Sequence, residues 1–144
     1  MADTISFELI TPLGPKFEEE VYEVVLPTPE GLIGVLARHM PLISIVTPGV
    51  LEIRRRASDT ADQVEHIATS GGFVEIDGHR LRLLADTAER AEDIDELKAQ
   101  EALKRAHTVK ATNKDQVSLA DATRLIELNT ARLKVSGLKR RRRK

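Results

Sequence analysis

The hydrophobic period of this chain changes once, at Glu89, and that change restricts the fold more than any other feature. Before it, apolar residues alternate with polar ones or form short runs broken by Gly and Pro. After it they recur every three or four residues. Alternation means a pleated strand with one buried face, and the longer step means a helix with one buried stripe. The chain therefore holds a β region followed by an α region, which excludes the interleaved order of an α/β fold.

The β region is dense with turns. Ile5, Phe7 and Leu9 alternate with Ser6 and Glu8. Val21-Tyr22-Glu23-Val24-Val25-Leu26 reads as one strand ended by Pro27, with Pro29 and Gly31 beyond it. Residues 32–36, with Gly34 inside, and residues 42–46 are short apolar runs. Pro48-Gly49 is a turn signal before the strand Val50-Leu51-Glu52-Ile53. Residues 57–62 are small and polar, a hairpin loop ahead of Val64-Glu65-His66-Ile67. Phe73-Val74-Glu75-Ile76 and a return strand over residues 80–84 flank Asp77-Gly78. That dipeptide fits a type I′ turn, whose two central residues both need positive φ. Strands this short and turns this frequent predict a sandwich or a barrel.

The α region reads as a hairpin. Ala99, Ala102, Leu103, Ala106 and Val109 share one helix face. Glu92 or Asp93 caps its start, and acidic residues crowd the first turn, where they complement the helix dipole. Residues 112–115 break the pattern. Ser118 with Asp121 makes a capping-box-like start. Leu119, Ala122, Ile126, Asn129 and Leu133 then form a second stripe beside Leu125, and Ser136-Gly137 ends it. Two helices of about 17 residues joined by a short break form an antiparallel pair. One face is Ala-rich and the other Leu/Ile-rich. A buried Leu contributes about 1.5–3 kcal/mol and an Ala much less. This hairpin is expected to be marginal alone, to need a partner surface, and to be able to change its docking. Asn129, inside the stripe, either fixes register or sits at a wet edge.

Composition narrows the function. With no Cys, disulfides, thiolate metal sites and thiol catalysis are excluded. Met1-Ala2-Asp3-Thr4 has neither a basic start nor an apolar block, so no signal or transit peptide is expected. The net charge of −1 conceals two opposed halves. Residues 1–93 carry 17 acidic and 8 basic side chains, a net of −9, and residues 94–144 carry 6 and 14, a net of +8. Lys139, Arg140, Arg141, Arg142, Arg143 and Lys144 supply six of those positive charges. An enzyme reading finds no support. Ser70-Gly71-Gly72 is not a nucleophile elbow and precedes a strand, and there is no P-loop. His39, His66, His79 and His107 lack metal-ligand spacing. The two glycines fit a bulge or a close backbone approach. Nucleic-acid binding would rest on the tail alone, because there is no aromatic stacking platform.

Several blocks, taken together and in order, carry a resemblance. They are Gly34-Val35-Leu36-Ala37-Arg38-His39-Met40-Pro41-Leu42, the Pro48-Gly49 turn, Ser70-Gly71-Gly72-Phe73-Val74-Glu75, Leu84-Ala85-Asp86-Thr87-Ala88, and Ile94-Asp95 at the start of the first helix. On this basis the chain resembles the epsilon subunit of bacterial and chloroplast F-type ATP synthase over nearly its whole length. The resemblance implies an α+β fold, a ten-stranded antiparallel β-sandwich followed by an α-helical hairpin. It implies a sandwich domain at residues 1–90 that binds the rotor and a regulatory hairpin at 91–137; the tail at 138–144 is the least family-like part, and its charge run reads as solvated and disordered.

It also implies a non-catalytic central-stalk subunit that requires no cofactor. Its partners would be the gamma subunit, the c-ring and, with the hairpin extended, the catalytic beta and alpha subunits. It would sit peripherally on the cytoplasmic face of the bacterial membrane, or on the stromal face of a thylakoid. His39 matches the family's c-ring contact histidine. Leu32 stands where some relatives place an acidic residue, which makes that contact apolar. Regulatory ATP, bound by some relatives, would fall on Glu89, Ile94, Asp95, Lys98, Ala99 and Arg132. Lys98 replaces the family arginine and loses its planar fork, and a second arginine position is Leu128. The six tail cations would meet acidic residues of beta when the hairpin extends.

Overall fold

The computed structural model describes residues 3–142. Ten strands come first: β1 (Ile5–Thr11), β2 (Gly14–Val21), β3 (Glu23–Thr28), β4 (Gly31–Leu36), β5 (Leu42–Val46), β6 (Gly49–Arg54), β7 (Glu65–Thr69), β8 (Gly72–Ile76), β9 (Arg80–Ala85) and β10 (Ala88–Arg90). A 3₁₀ turn at Ala91–Asp93 leads into α1 (Glu96–Thr112) and α2 (Gln116–Arg142). The strands form two five-stranded sheets, ordered β2-β1-β9-β8-β5 and β10-β7-β6-β3-β4. Of the two architectures open to the pattern, the sandwich is the one formed. Inward residues of both sheets, among them Ile5, Phe7, Leu9, Val24, Leu51, Ile53, Leu81 and Leu83, are fully buried between them. The α+β order is as expected, although β1 pairs with β9 in parallel and not antiparallel.

Several local expectations are corrected. Residues 21–26 are not one strand. Val21 ends β2 opposite Ile5, and Val24 already pairs with Ile53 in the other sheet, so Tyr22 sits at the corner between sheets. β2 itself does not alternate, because an edge strand bearing Glu18, Glu19 and Glu20 buries only Phe17 and Val21. The loop at Asp77 is not a type I′ turn, since only Gly78 has positive φ, at 93°. Asp77 closes it instead. Its backbone N–H donates to the Arg80 carbonyl at 3.1 Å. Its carboxylate accepts from the His79 and Arg80 N–H groups at 3.1 and 2.8 Å, and these bonds hold it below the ordinary carboxylate range.

The helix ends also shift. Asp95, not Glu92 or Asp93, caps α1 by accepting from the Lys98 N–H at 3.1 Å. Asp115 plays that part for α2, accepting from the Ser118 N–H at 3.4 Å and its hydroxyl at 3.1 Å, so Ser118 with Asp121 does not form the cap. The expected stop at Ser136-Gly137 does not occur, and α2 continues to Arg142. Residues 139–142 of the tail expected to be disordered are therefore helical. Arg143, Lys144 and the side chain of Arg142 lie outside the described residues. A glycine in a helix interior costs only about 1 kcal/mol relative to Ala. Here Leu138, one turn beyond Val135, is half-buried and lines a groove with His66 and Arg90 of the sandwich.

Gly71 and Gly72 mark the place where the chain leaves one sheet for the other. A Cβ on Gly71, at φ 93°, would lie 2.5 Å from the Val46 carbonyl oxygen, and one on Gly72 would lie 1.9 Å from that of Leu84. This is the close backbone approach that the glycine pair predicts. Thr69 and Ser70 staple the same crossing. The Thr69 hydroxyl donates to the Thr87 carbonyl at 3.1 Å, and Ser70 Oγ accepts from the Thr87 N–H at 2.9 Å.

One flank of the sandwich is closed by charge. Arg55 donates to Glu19 at 2.7 Å and to Glu65 at 2.6 Å, and Arg90 lies 3.3 Å from Glu65. Both guanidinium groups lie 5.4 Å from the centre of the Phe17 ring. The Arg55 hydrogen bond holds the Glu19 carboxyl below its ordinary value of 4.5.

Three substitutions test this packing. Gly72→Ala should lower stability by more than about 3 kcal/mol in urea unfolding, because its clash is with backbone. Gly137→Ala, in open space, should stabilise α2 by about 0.5–1 kcal/mol. Glu19 has a depressed folded pKa, so its contribution is complete above pH 4.5 and disappears as pH falls through the folded value. Glu19→Gln should therefore be less stable than the parent at neutral pH, and the difference should shrink on acidification.

Candidate functional site

The two flanks of the sandwich differ in chemistry. The β2/β10 flank carries the ion network around Phe17. The opposite flank, made by the edge strands β4 and β5, is apolar. The sheet register aligns Ile45, Phe73, Leu84 and Ile10 in one row across the outer face of β5, β8, β9 and β1. Phe73 is 62% exposed and Ile45 54%. The row floors an open groove of about 700 Å³ that Pro12, Pro48 and Arg124 also line. The next outward row is polar, with Arg82 donating to Glu8 at 3.0 Å, apart from exposed Ile43. On β4, Leu32 and Leu36 also face solvent, and Met40 follows them. An uncovered apolar strand edge invites association, and contiguous exposed apolar surface marks an interaction site. Sequence reasoning passed over this row. Its signal was available, because Ile43, Ile45 and Phe73 stand at outward positions where a solvated sheet face carries polar residues.

Leu32 and His39 lie along the same edge but are not brought together. Leu32 is the second residue of β4 and lines a groove shared with Ile126 and Thr130 of α2. His39 lies beyond the other end of β4, where its Nδ1–H donates to the Met40 carbonyl at 2.7 Å. Beside it Arg38 has φ 64°, donates its N–H to Gly78 at 2.7 Å and pairs with Asp3 at 2.8 Å.

The hairpin is docked on the outer face of the second sheet. Ala131 and Val135 of α2 pack on Ala68, with Val50, Ala91 and Ile94 around them. These are small side chains, and the polar contact beside them is correspondingly prominent. Glu89 at the centre of β10 accepts two hydrogen bonds from Arg132, Nε at 2.5 Å and Nη2 at 3.1 Å. The third guanidinium nitrogen donates to Asn129 Oδ1 at 3.1 Å. Asn129 is completely buried, and its amide donates to the Leu125 carbonyl at 2.8 Å. It is therefore a satisfied buried residue, not one at a wet edge.

The remaining residues considered for ATP surround this contact. Ile94 packs beside Ala68, Asp95 is the α1 cap, Lys98 is exposed and Ala99 is buried between the helices. Leu128, the second position that the resemblance matched to an arginine, is buried. Arg132 thus has all three nitrogens engaged within the chain. The tail is engaged too. Lys139 lies 3.5 Å from Glu92 and Arg140 lies 3.6 Å from Glu96. The Glu92 carboxyl is held below the ordinary carboxylate range, chiefly by its own backbone N–H and then by Lys139. Among the described residues no group of His, Asp or Glu is placed to hold a metal ion.

Comparison with known proteins agrees with this architecture. Residues 4–91 match the family described as "ATP synthase, Delta/Epsilon chain, beta-sandwich domain". The ATP synthase epsilon chain of Herpetosiphon aurantiacus is 36% identical over 138 residues, 96% of this chain and 98% of that one. The epsilon chain of Moorella thermoacetica is 37% identical over 134 residues, 93% and 97% of the two chains. A chain of the Euglena gracilis mitochondrial ATP synthase, in an assembly of OSCP, F1 and c-ring, superposes with a TM-score of 0.74 at 24% identity. That match covers 89% of this chain and 78% of the other. The chain belongs to the ATP synthase delta/epsilon family, the non-catalytic central-stalk subunits of the F-type enzyme. No helix among the described residues is long and apolar enough to cross a membrane.

The Glu89–Arg132 contact makes a direct prediction. Arg132→Ala leaves Glu89 without its partner and Asn129 with an unused acceptor, at a cost of about 1–3 kcal/mol. Limited proteolysis should then cut the α1–α2 connection faster, while β-sheet circular dichroism and the urea transition of the sandwich change little.

Proposed function

We propose that this rotor subunit of the F1Fo ATP synthase docks through its apolar flank, with the Ile45–Phe73–Leu84–Ile10 row against the gamma subunit and the β4 edge with His39 against the c-ring. The observation that carries the reading is the contrast between flanks. A monomer has no physical use for Phe73, Ile43, Ile45, Leu32 and Met40 in water, and burying such side chains supplies the main driving force for association. Leu32 makes the c-ring contact apolar. In this reading the subunit couples gamma to the ring during ion-driven ATP synthesis, from the cytoplasmic face of a bacterial membrane, which it touches only through the complex.

The hairpin is the regulatory part. Its docked face is small, and a helix pair held by few contacts suits a two-state element whose forms lie a few kcal/mol apart. When extended it would reach the catalytic beta and alpha subunits and obstruct rotation in the hydrolysis direction, with Arg141 and its neighbours against acidic residues of beta. Docking needs no nucleotide here, because Glu89 and Asn129 already occupy Arg132. ATP bound at this place would have to displace Glu89, with Lys98 as the exposed cation. A nucleic-acid role gains no support, since Lys139 and Arg140 of the tail pair with Glu92 and Glu96 and Arg55 pairs with Glu19 and Glu65.

Phe73→Glu should abolish co-purification with gamma and the catalytic subunits and leave the isolated chain folded. Glu18→Lys, on the charged flank, should co-purify as the parent does. Retention of the Phe73→Glu chain in the complex would refute the assignment of this face.

A further inference from the structure

We infer that Lys139 and Arg140 form an electrostatic clamp that holds the hairpin docked, so that ionic strength sets the docked population. The inference rests on the two-state reading of the hairpin above, and adds to it what the tail does in the docked state. Three observations place the clamp. First, α2 does not end at Gly137 but carries the tail on as helix to Arg142. Second, this extension delivers Lys139 to Glu92 at 3.5 Å and Arg140 to Glu96 at 3.6 Å. Glu92 lies in the 3₁₀ turn that joins sandwich to hairpin and Glu96 is the first residue of α1, so Lys139 ties the last turns of α2 to the hinge and Arg140 ties them to the start of α1 beside it. Third, the Lys139–Glu92 pair joins the basic end to the acidic body, the +8 and −9 halves of the chain.

The helix ends favour the same arrangement. The C-terminal end of α2, which attracts cations, lies beside the N-terminal end of α1, which attracts carboxylates. Each pair is solvent-exposed, with side chains 34% and 58% exposed in one and 69% and 37% in the other, and such pairs are individually weak and screened by salt. Their effect is on a small balance, because the buried apolar cluster they support contributes only Ala131 and Val135 from α2. The clamp also makes docking and capture of an acidic partner mutually exclusive for these two cations. Lys139 becomes available only when α2 leaves the hinge, and Arg140 only when it parts from the start of α1.

The chain has no native cysteine, so a donor–acceptor dye pair on Leu13→Cys and Ala120→Cys can report docking in the full-length protein. Both positions are exposed. Docking would be measured as the urea midpoint for loss of energy transfer, at low and at high salt. High salt should lower the docking constant of the parent several-fold. Lys139→Glu with Arg140→Glu should lower it about tenfold at low salt and reverse its salt dependence. Adding Glu92→Lys and Glu96→Lys should restore docking. The clamp is refuted if the double reversal docks as the parent does, or if the fourfold exchange fails to restore a chain whose sandwich remains folded. Arg132→Ala separates the two ideas. If it releases the hairpin while the double reversal does not, the hairpin is mobile and the clamp is wrong. If neither releases it below the unfolding of the sandwich, the two-state reading itself fails.

Discussion

The hydrogen-bonded ion pair between Glu89 and Arg132 decides how the two halves of this protein meet. Two helices dominated by alanine on their inner face cannot secure themselves on a sheet by area alone. Ala131 and Val135 bury little beside Ala68 and Val50. Arg132 adds a directional contact, with two donors on Glu89 and one on Asn129. Because Asn129 is fully buried, its side chain needs partners in the docked state, and the Leu125 carbonyl and Arg132 provide them. Partly buried polar contacts of this kind specify geometry more than they add stability. That suits a hairpin that must seat in one place and still be able to leave.

Glu89 is held in place by the sandwich crossing behind it. β10 pairs with β7, with Glu89 opposite Ala68, and the connections into β8 and out of β9 are stapled through Thr69, Ser70 and Thr87. The tight approach at Gly71 and Gly72 thus has an indirect effect on the hairpin, because it fixes the strand from which Glu89 projects. The apolar flank at β4 and β5 lies across the sandwich from that crossing's charged neighbours. The proposed partner face and the docked hairpin consequently use different surfaces, though they adjoin where Arg124, Ile126 and Thr130 of α2 line grooves with it.

Much of this was legible in the sequence because it is local. The alternation in β1, the Ala stripe of α1 and the order of sheet and helices all follow from near neighbours. β2 was hidden by Glu18, Glu19 and Glu20, since Glu19 stands between Phe17 and Val21 on the inward face and breaks the alternation. The corner at Tyr22 was hidden because Val21, the last residue of β2, and Val24, Val25 and Leu26 of β3 read together as one apolar run. Helix ends slipped by a turn wherever several acidic residues competed for the cap, as at Glu92, Asp93 and Asp95. The resemblance pointed to Glu89 and Arg132, but it did not show that they bond each other. Gly137 suggested a stop, and only the folded chain shows that Leu138 still packs and that Lys139 and Arg140 meet carboxylates more than 40 residues earlier. Pairings at that separation belong to tertiary structure and leave no trace in a local pattern.

The central claim is that the hairpin is a separate cooperative unit, docked by few contacts on a sandwich that is stable without it. Native-state hydrogen exchange tests it most directly. Amides of α1 and α2 should exchange through an opening well below the free energy of global unfolding, while those of β1, β6 and β9 exchange only on global unfolding. If helix and core-strand amides share one free energy of opening across a denaturant series, the protein is a single cooperative unit and the account is wrong.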